Sequence, residues 1–387
     1  MKVLSIDVRF EYPVHFTSGA FDPANDTLAQ SIKRKEPARR HRVLLVIDRG
    51  VVDARPTTWP GEIARYFEHH GIELVSQIVL PGGESIKEDA EALTALLGAM
   101  DRHAMDRQSF VVIVGGGAVL DMAGYAAAVT HRGLRVIRLP TTVLSQGDSG
   151  VGVKTGLNAF GKKNFVGTFS PPFAVINDVR FLETLERRDL LAGMAEAVKV
   201  ALIRDRTFFQ WLRREAPRLA ACEMPPVTEL VRRSAELHLT HIETSGDPFE
   251  LGSARPLDFG HWAAHKLESL THNRLRHGEA VAIGMAIDTL YSAKTRLCRE
   301  EVAETVLETL QRIGLSVWHP SLDERRPDGR PRVLDGLREF REHLGGELTL
   351  TMLRDIGESV EIHEVDEALL VHCLDTLRAR GARVGAA

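Results

Sequence analysis

The sequence predicts an α/β protein in two parts: an open parallel sheet with helices on both faces, then a mostly α-helical region. Three observations carry this expectation. Between residues 43 and 140, short apolar runs alternate with segments of helical spacing, the βαβ rhythm of a parallel sheet. The apolar runs are compact and end in Asp, Pro or glycine-rich turns, as strands buried on both faces do. From about Arg187 onward, apolar residues recur at helical spacing almost throughout.

Residues 1–8 read as a first strand. Residues 43–48 form the next, followed by a helix over 61–70 and a strand over 73–80. Pro81-Gly82-Gly83-Glu84 breaks the chain before a helix over 88–103. Residues 110–114 are again a strand, then Gly115-Gly116-Gly117, a helix over 121–130 and a strand over 136–140. Helices are expected over 192–202, 208–214, 227–244, 261–270, 279–296, 299–313 and 366–380. Residues 320–331 are polar and rich in Pro, Asp and Arg, which predicts an exposed loop; 349–356 is expected to pair as a strand with the segment before His363. The boundary falls between residues 184 and 189, giving a Rossmann-like domain over 1–186 and a helical domain over 187–387.

Composition excludes several classes. The chain has 387 residues, 44% hydrophobic and 26% charged, with net charge -4 and scattered cations, so neither nucleic acid nor a membrane surface is an expected partner. No apolar run is long enough to span a bilayer, and the start of the chain does not read as a signal peptide. Cys222, Cys298 and Cys373 show no paired spacing, which points to reduced thiols and a cytoplasmic location.

Two stretches carry chemistry. Three consecutive glycines between a strand and a helix let backbone amides approach a pyrophosphate, and the helix N-terminus favours its charge. Asp48 at a strand end is placed to accept from ribose hydroxyls. The motif is not GxGxxG, and a plain tight turn is the competing reading. Pro81-Gly82-Gly83-Glu84 and Pro140-Thr141-Thr142 add two strand-end loops, which in an open sheet converge on one crevice. The second stretch is Leu257-Asp258-Phe259-Gly260-His261 with His265 and His277. His261 and His265 share a helix face, and with Glu196 among small apolar neighbours they read as a zinc-type set with an open position. The alternative is an ion pair of Glu196 with Lys199 and histidines satisfied in a core. Lys154, Lys162, Lys163 and Asn164 in a glycine-rich run suit a phosphate ester, with a solvated basic loop as the rival reading.

Together these residues resemble the sugar phosphate cyclases of the 3-dehydroquinate synthase superfamily. Asp48, Pro81-Gly82-Gly83-Glu84 with Lys87, the glycine triplet with Asp121, Pro140-Thr141-Thr142, Asp148-Ser149, Lys154, Lys163-Asn164, Glu196 with Lys199, Gly260-His261 and His277-Gly278-Glu279 come in that family's order. Iron-type alcohol dehydrogenases share the architecture and the triplet but lack the Lys154 and Lys163-Asn164 grip. The resemblance implies that Glu196, His261 and His277 bind Zn²⁺ or Co²⁺. It implies that Asp48, Glu84, Lys87, Gly116, Gly117, Asp121, Thr141, Thr142, Lys163 and Thr184 hold NAD⁺. His265, Lys154, Lys199 and Asp148 would be catalytic, with His265 a proton carrier. Lys154, Asn164 and His265 would surround the phosphate, with Arg132 reaching it from a neighbouring subunit of a homodimer. The implied chemistry is transient oxidation, elimination of phosphate, reduction, ring opening and an intramolecular aldol.

The sequence departs from the dehydroquinate synthases where they grip a carboxylate. Their Glu-Leu-Lys run is here Glu236-Leu237-His238, their Arg seven residues before the first metal histidine is Ala254 with Arg255 displaced by one, and their Asn three residues before it is Asp258. Losing fixed cations and gaining an acid disfavours an anionic substrate group, and Asp accepts from sugar hydroxyls. A substrate without the carboxylate is therefore expected. Arg255-Pro256 resembles the sedoheptulose 7-phosphate cyclases, whereas Asp258 with His265 resembles the 2-deoxy-scyllo-inosose synthases. The reading favours sedoheptulose 7-phosphate and an epi-valiolone product. Arg341 and His343 stand where the family has a basic pair and are expected phosphate contacts.

Overall fold

The computed structural model describes residues 2–6, 8–249, 257–343 and 348–384. The chain forms two compact units, Met1–Thr184 and Leu185–Ala387. In the first, the elements run β1 (Val14–Thr17), α1 (Thr27–Lys33), β2 (Arg42–Asp48), α2 (Arg49–Asp53), α3 (Trp59–His69), β3 (Glu73–Leu80), α4 (Ala90–Arg102), β4 (Phe110–Gly115), α5 (Gly117–Val129), β5 (Arg135–Pro140), β6 (Lys154–Ala159), β7 (Lys162–Phe169) and β8 (Ala174–Asp178). Six strands form a parallel sheet in the order β1-β8-β5-β4-β2-β3. Alternate residues of the same strands feed two cores. Val43, Leu45, Ile47, Val112 and Val114 pack with Ile63, Tyr66 and Phe67 of α3, while Leu44, Val46, Val111 and Ile113 pack with Leu96 of α4 and Met122 and Ala123 of α5. Burial on both faces is why these strands read as unbroken apolar runs.

Three expectations need correction. Residues 2–6 and 8 enter no sheet; Val3, Leu4, Ile6 and Val8 are exposed, and the first strand is β1. The glycine-rich run around Lys154 is not a loop but the antiparallel hairpin β6–β7, whose glycines hid the alternation. Helix α5 starts at Gly117 directly from the triplet, four residues earlier than its apolar spacing indicated.

The second unit contains α6 (Arg187–Arg204), α7 (Arg206–Ala220), α8 (Met224–Thr244), α9 (His261–Leu270), α10 (His277–Lys294), α11 (Glu300–Ile313), α12 (Asp335–His343), the antiparallel pair β9 (Leu350–Asp355) and β10 (Glu358–Ile362), and α13 (Glu367–Val384). Helix α10 is buried on every face from Gly278 to Ala293 apart from a half-buried Glu279, so it is the axis of this unit. Residues 320–331 do form a connection, but an anchored one. Leu322 is buried, Arg325 bridges to Pro331, and Arg330 pairs with Asp335 at 2.7 Å. No described helix is long and apolar enough to cross a membrane. The three cysteines are unbridged.

Candidate metal centre and nucleotide–phosphate cradle

Helix α6 is buried along most of its length, so Glu196 is 1% exposed and Lys199, one turn on, 3%. A carboxylate there requires partners. Lys199 Nζ lies 2.6 Å from Glu196 Oε2. Oε1 faces two imidazoles instead, with Nε2 of His277 at 3.3 Å and Nε2 of His261 at 3.7 Å. It finds no hydrogen-bond donor of good geometry. Ligand atoms around one tetrahedral ion, with bonds of roughly 2.0–2.1 Å, stand about 3.3 Å apart. Oε1 stands at that distance from His277 Nε2 and slightly further from His261 Nε2, and all three atoms lie within 4.8 Å of one another, so the buried donor set fits a zinc-type ion. The ion-pair reading of Glu196 and Lys199 and the metal reading are therefore compatible, because each takes a different carboxylate oxygen.

Glycines set this geometry. Gly278 follows His277 at the start of α10 and lies so close to α6 that a Cβ there would stand 1.7 Å from the Ala192 carbonyl oxygen. Ala192 is one turn before Glu196. Gly260 precedes His261 with φ 79°, a left-handed conformation that favours glycine. It is pressed against Gly284 of α10, where a Cβ would stand 2.0 Å from the Gly260 carbonyl oxygen. Asp288, buried one turn further along α10, accepts from the Gly260 amide at 2.9 Å and from Trp262 Nε1 at 2.8 Å. Each histidine thus sits beside a glycine that allows two helices to touch at the backbone.

The electrostatics follow from burial. Burial opposes charge on Glu196, but Lys199 and His277 outweigh it and hold the carboxyl below its ordinary range. Burial, reinforced by Lys199, His265 and His277, pushes His261 well below its ordinary value and keeps it a neutral donor. Burial alone would lower His277 too; Glu268 and Glu196 outweigh it and push it up to about 10. Glu268 is the residue that sequence reasoning missed here. Its Oε2 lies 3.3 Å from His277 Nδ1, which turns Nε2 toward Glu196. The available signal was an acid on the same face of α9 as His261 and His265. His265 is exposed, its ring centroid 5.4 Å from that of His261 and 6.1 Å from that of His277, outside the Glu196 set.

Asp258 is half-buried in the turn before α9, where its carbonyl accepts from the His261 amide at 3.0 Å. His238 is buried on α8, its Nδ1 3.1 Å from the Ser234 carbonyl of the preceding turn. Arg341 is exposed on α12, which packs on α9 so closely that a Cβ on Gly336 would stand 2.4 Å from the Trp262 carbonyl oxygen. His343 ends α12, and Arg255 lies outside the described residues.

In the first unit the cradle gathers at the carboxyl ends of the strands. Asp48 ends β2 and caps α2 by accepting from the Gly50 amide at 2.8 Å. Burial raises its pKa, countered by the Gly50 and Gly116 amides. Gly82 packs directly on it; a Cβ there would stand 2.5 Å from Asp48 Oδ1. Gly116 precedes α5, whose first turn has no side-chain cap, and Thr142 hydrogen-bonds with Ser145 while the Thr141 amide donates to Gly115 at 3.0 Å. Lys87 is buried and bonds Asp121 at 2.7 Å and Asn164 Oδ1, with Glu84 at 3.9 Å. Burial raises the pKa of Asp121 against the pull of Lys87. Glu84 also meets Lys163 at 3.7 Å and accepts from Asn158 at 2.9 Å, and Asn158 takes the Asn164 amide at 2.9 Å. Glu84, Lys87, Asp121, Lys163 and Asn164 are thus brought into one cluster, with Asn158 an unanticipated member. Asp148 lies in a single wide turn, Ser145–Ser149, after β5, and Lys154 opens β6. Thr184 ends the unit with its hydroxyl on the Phe181 carbonyl at 3.0 Å. Arg132 is not brought to the cluster. It sits exposed with φ 63° in the turn before β5, at the amino-terminal end of the sheet.

Known proteins match this chain across both units. The profile of the 3-dehydroquinate synthase N-terminal region matches residues 77–192, and that of the C-terminal region matches 193–328. The chain belongs to the 3-dehydroquinate synthase family. A 3-dehydroquinate synthase from Roseobacter denitrificans is 34% identical over 372 residues, 95% of this chain and 96% of its own length. Among solved structures, ValA, a 2-epi-5-epi-valiolone synthase from Streptomyces hygroscopicus subsp. jinggangensis 5008 with NAD⁺ and Zn²⁺ bound, is similar with a TM-score of 0.86 and 29% identity, covering 98% of this chain and 100% of that one. A 2-deoxy-scyllo-inosose synthase with carbaglucose-6-phosphate, NAD⁺ and Co²⁺ shares the fold with a TM-score of 0.77 at 23% identity, covering 94% and 96%. The protein is an enzyme, a sugar phosphate cyclase of this family and a lyase acting on phosphates.

Proposed function

We propose that this enzyme cyclises a ketose phosphate that lacks a carboxylate, sedoheptulose 7-phosphate, with loss of phosphate, giving an epi-valiolone-type cyclitol. The observation that carries the reading is His238. In the family's Glu-Leu-Lys position this chain has a buried imidazole whose Nδ1 faces its own helix, so no long flexible cation is available there for a carboxylate. Asp258, an acid ahead of His261, further disfavours an anionic group and accepts hydrogen bonds from hydroxyls. The similarity to ValA supports the same reading.

In this proposal Glu196, His261 and His277 hold a divalent ion, and the strand-end cluster of Asp48, Glu84, Lys87 and Asp121 holds NAD⁺ at the glycine turn. When bound, the ion would polarise a substrate hydroxyl and NAD⁺ would take up and return its hydride. Lys199 holds Glu196 ionised through Oε2. Lys154 and Asn164 take the phosphate ester, and His265 moves a proton at its exposed ring. Arg132 lies in the turn before β5, away from the strand ends that carry the cluster, so a phosphate contact from it would come from a second copy of the chain.

A second reading, 3-dehydroquinate synthase itself, is favoured by the names of the relatives. Phosphate release separates the two. Purified protein with NAD⁺ and Co²⁺ or Zn²⁺ is expected to release phosphate from sedoheptulose 7-phosphate without net NADH absorbance, with the product identified by NMR. Release only from the carboxylated substrate of the dehydroquinate synthases, or only from glucose 6-phosphate, would refute the assignment. Net NADH accumulation would indicate dehydrogenase chemistry. His261→Ala is expected to lose the metal and all turnover; full metal occupancy in that variant would remove His261 from the ligand set.

A further inference from the structure

Arg138 stands between Ile137 and Leu139 in the middle of β5 and is 1% exposed. A buried arginine in a central strand needs an explanation, because removing its charge from water is costly. Its guanidinium is spent on backbone. Nη1 donates to the Gly152 carbonyl at 2.7 Å and reaches that of Gly150 at 3.4 Å, and Nη2 donates to Lys154 at 3.1 Å. Tyr12 donates its hydroxyl to the Val151 carbonyl at 2.9 Å, and the Ser170 amide donates to Val153 at 2.7 Å. Every carbonyl from Gly150 to Lys154 is therefore held. A solvated basic loop would need none of these anchors, and a neutral side chain could not fork to three carbonyls as a planar guanidinium does.

We propose that Arg138 is the positioning residue of the phosphate end of the substrate. It fixes the segment between Asp148 and Lys154 so that the Lys154 ammonium is presented to a phosphate ester in one place, and its own buried charge adds to the attraction for a dianion. The proposal rests on Lys154 being a phosphate ligand.

The test uses the full-length protein and inorganic phosphate as the probe. In Arg138→Gln, phosphate affinity followed by ³¹P NMR is expected to fall at least tenfold, NAD⁺ affinity to change less than threefold, and amide exchange of residues 150–155 to accelerate at least tenfold. Arg138→Lys keeps the charge but not the fork and is expected to fall between the two. Millimolar guanidinium is expected to restore phosphate affinity in Arg138→Ala. If Arg138→Gln does not fold, Tyr12→Phe removes one anchor and is expected to weaken phosphate about threefold. Wild-type exchange in a folded Arg138→Gln variant, or faster exchange with phosphate affinity within twofold of wild type, overturns the proposal while leaving Lys154 in its role. Undiminished phosphate affinity in Lys154→Ala refutes that role itself, and the proposal with it.

Discussion

The histidine cluster of the second unit and the lysine–carboxylate cluster of the first are held by different means. Glu196, His261 and His277 lie on helices pressed together at Gly278–Ala192 and Gly260–Gly284, so backbone contact sets their spacing. Lys87 from the turn after β3, Asp121 from α5, and Lys163 and Asn164 from β7 are joined by side-chain hydrogen bonds and ion pairs, with Glu84 as the partner of Lys163. Backbone contacts cannot yield, whereas side chains rotate. The candidate metal centre should therefore fail abruptly on small steric changes, and the candidate cradle should degrade by degrees.

The largest effect is expected from Gly278→Ala, whose Cβ would fall 1.7 Å from a main-chain oxygen. Helices α10 and α6 must part, costing roughly 4 kcal/mol or more and abolishing metal binding. Wild-type melting temperature and metal stoichiometry in this variant would break the comparison. Next is Asp288, whose carboxyl is pushed up by burial to about 7 from an ordinary 3.8, against the Trp262 and Gly260 donors. The folded state holds this proton where the unfolded chain has lost it. Stability should therefore fall as pH rises from about 4 to about 7, by about 3–4 kcal/mol from this group alone. Asp288→Asn is expected to flatten that part of the profile in urea unfolding; an unchanged slope would remove Asp288 as its source.

In the first unit, Lys87→Met leaves Asp121 without its 2.7 Å partner. A cost of about 1–3 kcal/mol is expected, with NAD⁺ affinity falling about tenfold by calorimetry. Unchanged NAD⁺ affinity would detach this cluster from the cofactor. The smallest effect is expected from Gly117→Ala. Its Cβ would meet Ser149 Oγ at 3.1 Å, a hydroxyl free to swing aside. The expected stability in urea unfolding is within about 1 kcal/mol of wild type, because alanine favours a helix more than glycine does, and a loss as large as that of Gly278→Ala would erase the contrast between the two regions.

Legibility in the sequence followed the same division. The buried strands announced themselves because both faces of the sheet are covered, and the helices because their apolar spacing is regular. Strand β8, from Ala174 to Asp178, went unread because Pro171-Pro172 before it and Asn177-Asp178 at its end are turn-forming residues that leave only four apolar residues between them. The hairpin β6–β7 was masked by its own glycines, Gly156 and Gly167. Glu196, His261 and His277 could be picked out because polar side chains among small apolar neighbours need a reason to be there. The same logic, applied further, reaches Arg138 in β5 and Asp288 in α10, each a charged residue inside an apolar run. Glu268 has polar neighbours and is signalled only by its place on the face of α9 that carries His261 and His265. Asn158 gave no such signal, because a polar residue in a half-exposed hairpin is ordinary until Glu84 and Asn164 are seen beside it.

Helix α10 constrains how such an enzyme diverges. It begins at His277 and is enclosed almost to its end, with Gly278 and Gly284 leaving no room for a side chain to grow. A side chain at either glycine would force α10 away from α6 or from the turn that carries His261. On the function proposed above, a change of substrate falls to positions such as Asp258 and His238, which lie off this helix. Relatives that share a catalytic core should accordingly differ most in the turn before α9 and on the inner face of α8.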